Sequence, residues 1–316
     1  MRHFLKKILV YSSIVMIIFI AYELALLLVP NEYSYKKNYI KTHRQSLKIL
    51  VLGNSHLADC IDPKLLGKNA FNAAQPGRSV YYDLQLMREF IHQMPNLECV
   101  VMPFSYDYYY WGHLYEKKHE PKFLTYRCMY LKYMNYTYSD GEWWHWSEIL
   151  NSNYNHTGRL LDAPSKPLSD LTMCDSLGME IDASYKLRAH DWDTLQLPSV
   201  TPLLDSTELK LNYKDNIKIY SEIATIMRNN HKRLILISMP IYKTARKRVS
   251  QRQIDEMYSF VKFLQSINPS IEFYNFIDDP RFIERDYYNS IHLNNEFGSR
   301  KITPIVRQII ESPPKK

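Results

Sequence analysis

Five short apolar runs, each bounded by turn residues and separated by amphipathic stretches, constrain this chain more than any other feature. They are Leu47–Gly53 (LKILVLG), Ala70–Ala73 (AFNA), Leu97–Met102 (LECVVM), Leu234–Met239 (LILISM) and Ile271–Phe276. A strand buried on both faces reads as a continuous apolar run rather than an alternating one, and that is the signature of a parallel sheet. Between the runs, Leu84, Met87, Phe90 and Met94 mark a helix over Ser79–Met94, stopped by Pro95. Leu209, Tyr213, Ile217, Tyr220, Ala224 and Met227 mark another over Glu208–Asn230. Ile254, Met257, Val261 and Leu264 line a third, and Ile302, Ile305, Val306 and Ile309 a last one. This rhythm predicts an α/β fold, a three-layer sandwich with a mostly parallel central sheet and helices on both faces.

The α/β pattern spans 47–312 and is interrupted at about 106–204 by a stretch rich in Tyr and Trp, as in Tyr106–Trp111 (YDYYYW) and Trp143–Trp146 (WWHW). It falls between the third and fourth strands, at the sheet edge where α/β proteins bind ligands. It reads as an insertion rather than an independent domain. Its aromatic rings suit three roles equally: stacking on sugars, lying at a membrane interface, or filling the insertion's own core.

The N-terminus sets a second constraint. Ile8–Val29 is apolar except for Glu23, and Arg2, Lys6 and Lys7 precede it. A bilayer core of about 30 Å needs about 20 such residues in helix. A cleaved signal peptide would have a shorter apolar core, roughly 7–15 residues, ending in a small-residue cleavage site. Residues 1–30 therefore read as a cytoplasmic stub and uncleaved transmembrane anchor, with Glu23 in its outer half facing a partner helix. The polar stretch 31–46 reads as a linker. Lys36, Lys37, Lys41 and Arg44 offset the leading basic residues, so charge alone leaves the orientation open.

Composition excludes several classes. A net charge of +7 is spread thinly, and the run Lys243–Arg248 (KTARKR) is short, which argues against nucleic-acid binding. Cys60, Cys99, Cys128 and Cys174 show no C-x-x-C spacing, and His113, His119, His145 and His156 lack metal spacing. Cys99 reads as core, and a Cys128–Cys174 disulfide stays open. No metal or organic cofactor is implied.

Chemistry concentrates in two places. Directly after the first strand, Leu52-Gly53-Asn54-Ser55-His56 puts Ser55 at the mouth of the sheet, either as a helix N-cap or as a nucleophile. The next helix N-terminus there offers unpaired N–H groups to a developing oxyanion. Near the C-terminus, Asn289-Ser290-Ile291-His292 lies in a loop that opens on the same carboxyl edge, so His292 is within reach of Ser55 as a base. His56 is expected to face elsewhere.

These residues resemble the SGNH/GDSL hydrolase superfamily in its membrane-anchored, DltD-like branch. Gly53-Asn54-Ser55-His56 is similar to its first block, Gln75-Pro76-Gly77 to its second, and Asn289-x-x-His292 to its Asp-x-x-His. The resemblance implies Ser55 as nucleophile, His292 as base, Asn289 as orienting group, and the N–H groups of Ser55 and Gly77 as oxyanion donors. Two departures stand out. Pro103-Phe104-Ser105-Tyr106 replaces the third block's Asn, leaving Ser105 or Tyr106 as substitute donor or the donor missing, and Asn289 replaces the acid. Asp286, Asp278 or Asp279 is the alternative acid. The implied activity is an extracytoplasmic serine esterase or O-acyltransferase acting on acyl groups of a cell-envelope glycan. The implied partners are the bilayer, the acylated polymer and a multi-pass membrane O-acyltransferase. The rival expectation is a non-catalytic, glycan-binding accessory of such a complex.

Overall fold

The computed structural model describes residues 1–67, 69–108, 121–137, 142–152, 156–181 and 207–313. The run Tyr109–Trp111, with His113 and His119, lies outside the described residues. The chain divides into two compact units, Met1–Tyr35 with Lys118–Thr172, and Lys36–Lys117 with Met173–Lys316. Part of the aromatic stretch thus groups with the N-terminal helix.

The larger unit is built on a five-stranded, all-parallel sheet. Its strands are β1 (Ile49–Val51), β2 (Ala70–Asn72), β3 (Cys99–Pro103), β4 (Arg233–Ser238) and β5 (Ile271–Asn275), in the order β2-β1-β3-β4-β5. The first four expected runs form strands because their side chains are buried on both faces, whereas β5, at the sheet edge, is half-buried from Phe273 to Asn275. Ile49, Val51, Cys99, Val101, Ile235 and Ile237 point into one apolar cluster with Ile302 and Val306 of the helix Phe297–Glu311. The intervening residues point to the opposite face by the two-residue strand period. There Phe104, just past β3, packs edge-on to Tyr220 (5.3 Å between ring centres) and against Phe260 at 5.5 Å. Leu50, Val100 and Leu236 are at most 2 % exposed. Burying a side chain of that size contributes about 1.5–3 kcal/mol.

The helices follow the apolar periodicity. The helix expected to reach Met94 ends at Phe90, and one 3-10 turn, Ile91–Gln93, continues it. Ser79 caps its start, and a Ser250–Gln253 capping box opens the helix Gln251–Ile267. The expected linker is the clearest difference: Glu32–His43 is a helix. Its polar composition hides a buried stripe in which Tyr33, Lys36 and Ile40 are at most 3 % exposed. The Lys36 ammonium is satisfied by the Ala74 carbonyl, and Tyr39 stacks on Phe71.

In this sheet order the chain reverses direction between β1 and β3. The carboxyl ends of those two strands flank the crevice where ligands of doubly wound sheets bind. Ser55 follows β1 by four residues, and Ser105 follows β3 by two.

In the smaller unit the helix Arg2–Leu27 is long and apolar enough to cross a membrane. Glu23, expected to meet a partner helix, is instead buried against residues 118–172. Its carboxylate accepts from Lys132 Nζ (2.6 Å), from Ser147 Oγ (2.6 Å) and from the Ile149 N–H (3.1 Å). Lys132 also contacts Glu148, which Arg159 engages in turn.

Candidate active site

The turn after β1 is braced from three sides. Gly53 adopts φ +114°, and a Cβ there would come within 2.2 Å of Pro103 Cδ, so the close approach of β3 requires glycine. The Gly53 N–H donates to Asp83 Oδ1 at 3.1 Å. Asp83 is paired with Arg78, 3.2 Å away, and the Arg78 guanidinium also donates to Gln75 Oε1. Arg78 and Asp83 are both 1 % exposed. Burial pushes the Asp83 carboxyl up to about 6, although Arg78 and the Gly53 N–H act the other way. One buried ion pair therefore ties the turn that carries Ser55 to the segment that carries Gly77.

The next residue, rather than Ser55, supplies the helix cap. Asn54, not Ser55, is the N-cap of the short helix Ser55–Ala58, its Oδ1 accepting from the His56 N–H at 3.2 Å and from Tyr108 Oη–H at 2.8 Å. Buried Asn72 holds the far end of the same segment, its Nδ2 donating to the Leu57 and Ile61 carbonyls at 2.8 Å each. Freed from capping, the Ser55 hydroxyl lies 2.8 Å from His292 Nε2.

The loop bearing His292 is fixed as tightly. Asn289 Oδ1 accepts from the Ile291 N–H (3.0 Å), the His292 N–H (2.9 Å) and His292 Nδ1 (3.0 Å). Two backbone donors on that atom mark it as the amide oxygen. Nδ1 then carries the proton, and Nε2 presents its lone pair to the Ser55 hydroxyl. Asn294 closes the loop onto the last helix: its Nδ2 donates to the Arg285 carbonyl (2.7 Å), and its Oδ1 accepts from Phe297 N–H (2.7 Å).

The alternative acids are engaged elsewhere. Asp286 accepts from the Ile283 N–H at 2.8 Å and pairs with Lys301. Asp279 is held by Arg281, which keeps its carboxyl below the usual range. Asn289 is the side chain that meets Nδ1.

Sequence reasoning sent His56 away from the site, and the structure corrects this. Its ring stacks on that of His292, with centres 4.4 Å apart and planes 23° from parallel. Tyr108 meets the His56 ring edge-on at 5.8 Å. Burial holds His56 down to about 4 despite a hydrogen bond with the Ile291 backbone. Burial and the neighbouring His56 together keep His292 well below the ordinary histidine range. Both rings are thus neutral near pH 7.

For the oxyanion, Gly77 sits after β2 with φ +70°. Among the described residues, neither the Ser55 nor the Gly77 N–H donates to a protein acceptor. Ser105 is buried and accepts from Ser238 Oγ–H at 3.1 Å, leaving its own hydroxyl proton available. His56, Ser105, Tyr106, Asp107, Tyr108 and Ile291 share one pocket. Burial raises Asp107 in it to about 6. No signal in the sequence singled out His56, Tyr108 or Asp107 for the site, because each gains its place from contacts across the fold. The cysteines Cys60, Cys99, Cys128 and Cys174 are all buried thiols, none of them in a disulfide. Among the described residues, no group of three His, Cys, Asp or Glu side chains is arranged to hold a metal ion.

No protein-family model matches this chain, and no curated protein matches it. What the site does rests on its geometry.

Proposed function

We propose that this chain is an SGNH-type serine esterase or O-acyltransferase, anchored by its N-terminal helix and acting outside the cytoplasm on acyl groups of an envelope glycan. The observation that carries the reading is the chain Ser55 Oγ–His292 Nε2 at 2.8 Å and His292 Nδ1–Asn289 Oδ1 at 3.0 Å. A nucleophile, a base and an orienting group in hydrogen-bond sequence are what acyl transfer needs. Ser55 Oγ attacks the acyl carbonyl as its proton passes to His292 Nε2. The ester C–O bond then breaks, and His292 returns that proton to the leaving alcohol. Attack on acyl-Ser55 by water, or by a sugar hydroxyl, completes hydrolysis or transfer and restores the serine. The Ser55 and Gly77 N–H groups, free of protein acceptors, suit the oxyanion.

The order β2-β1-β3-β4-β5 and the blocks around Ser55, Gly77 and His292 favour this family. An O-acyltransferase in the same membrane is the partner such an enzyme would take acyl groups from. Asn289 favours a second reading, a glycan-binding accessory with a weakened site, since an amide stabilises imidazolium less than a carboxylate does.

Turnover of an aryl acetate ester by the full chain, against Ser55→Ala, separates the two. The enzyme reading expects loss of turnover and of labelling by an acyl-directed probe, with the melting temperature shifted little because Asn54 does the capping. Wild type no faster than Ser55→Ala, with glycan still bound, would leave the accessory reading standing.

A further inference from the structure

The smaller unit exposes large apolar side chains on the elements that grip the N-terminal helix. That helix is exposed or half-exposed as far as Tyr22 and buried at Glu23 and Leu26. From Ile8, the first residue past the charged Arg2, Lys6 and Lys7, to Tyr22 it extends roughly 22 Å at 1.5 Å per residue, short of the roughly 30 Å of a bilayer's hydrocarbon core. The stretch from Glu23 to Leu27, where it enters protein, therefore falls in the outer part of that core.

Two short helices take hold there. Ser147, which caps Glu148–Asn151, donates to Glu23 Oε1, and so does the Ile149 N–H. On the helix His156–Asp162, Thr157 Oγ1 lies 3.0 Å from Tyr22 Oη. The same helices and their neighbours carry Leu150 (71 % exposed), Leu161 (73 %), Trp143 (77 %), Trp144 (53 %) and Leu168 (50 %). Single exposed apolar residues are ordinary on soluble proteins. Two large ones on the helices that receive the end of an apolar helix, with three more on the elements next to them in the chain, are not scattered singly.

We propose that these side chains rest in the lipid interface of the bilayer that the N-terminal helix spans, with Trp143 and Trp144 at headgroup depth. Lipid is the occupant because the surface continues the helix's own lipid-facing surface, and because tryptophan combines an apolar body with an N–H that suits that depth. The proposal rests on the anchor reading above. It adds that the unit is seated on the membrane rather than hung from it.

The test reconstitutes the full-length chain in phosphatidylcholine vesicles whose acyl chains carry bromine near the headgroup. Tryptophan fluorescence is compared with that in unbrominated vesicles, for wild type and for Trp143→Phe/Trp144→Phe. The expected result is quenching of wild type, with at least half of the quenched intensity lost in the double variant. A Leu161→Cys variant carrying a polarity-sensitive fluorophore should shift to the blue on reconstitution. Wild type that floats with the vesicles but shows the same quenched intensity as the double variant, with no blue shift at position 161, overturns the proposal. The face is then covered by protein or by water. A chain that does not float with vesicles overturns the anchor reading, and this proposal with it.

Discussion

Asn289 occupies the position that decides how the site titrates. Its neutral oxygen orients His292 without adding charge, and burial keeps the imidazole well below the ordinary range. A base that resists protonation stays active into mild acid, so the acidic limb of kcat/KM should lie below the ordinary histidine range. Asn289→Asp places an anion on Nδ1, which should raise that limb by about 1 pH unit or more. It should also raise turnover on an aryl acetate about 10-fold, or about 1.4 kcal/mol. A pH–rate profile unmoved by the substitution would show that His292 is not the titrating base. His56 leaves a mark on stability instead. The unfolded chain protonates this side chain near 6.5 and the folded chain only near 4. Stability from this source is therefore complete above pH 6.5 and declines as pH falls toward 4, by about 3 kcal/mol at most. His56→Leu should flatten the decline of melting temperature across that window. Ser55, Asn289 and His292 were legible because each sits in a short local pattern. His56 was not, because a ring stack is a property of two distant segments brought together.

At the scale of elements, the turn after β1 depends on residues outside it. Gly53 is required by Pro103 on β3, and its N–H is held by Asp83 on the helix Val80–Phe90. Asp83→Asn keeps the shape but leaves the Arg78 guanidinium buried without its counter-ion. Breaking one side of a buried pair costs about 3–5 kcal/mol. The expected outcome is a large drop in melting temperature with a matching loss of turnover, whereas Asn54→Ala should lose about 0.5–2 kcal/mol of capping. Equal, small shifts from both substitutions would argue that the pair does not brace the turn. The helix Glu32–His43 shows where element reading stopped. Burying Lys36 requires partners for its ammonium, the Ala74 carbonyl among them, and a polar composition gives no hint of that partner.

At the scale of the molecule, the smaller unit is organised around charge. Glu23, Lys132 and Glu148 are each at most 8 % exposed, with Arg159 on the outer side of Glu148. Lys132→Met would leave two buried carboxylates facing each other's field, at about 3–5 kcal/mol. Protease cleavage within 118–172 of the detergent-solubilised chain should rise accordingly, and unchanged cleavage would mean that the cluster does not hold the unit together. The five strands, their flanking helices and the membrane-length N-terminal helix follow from the sequence by itself. Period and run length report how each segment meets its surroundings, and those are local quantities. Only the tertiary structure decided that Asn54 caps while Ser55 faces His292, that Asn289 rather than Asp286 or Asp279 meets Nδ1, and that Glu23 finds its cation at Lys132. The Ser55–His292 and Glu23–Lys132 pairings span long stretches of chain, and even the local ones at Asn54 and Asn289 are selected because burial makes an unpaired group costly and only the folded geometry supplies its partner.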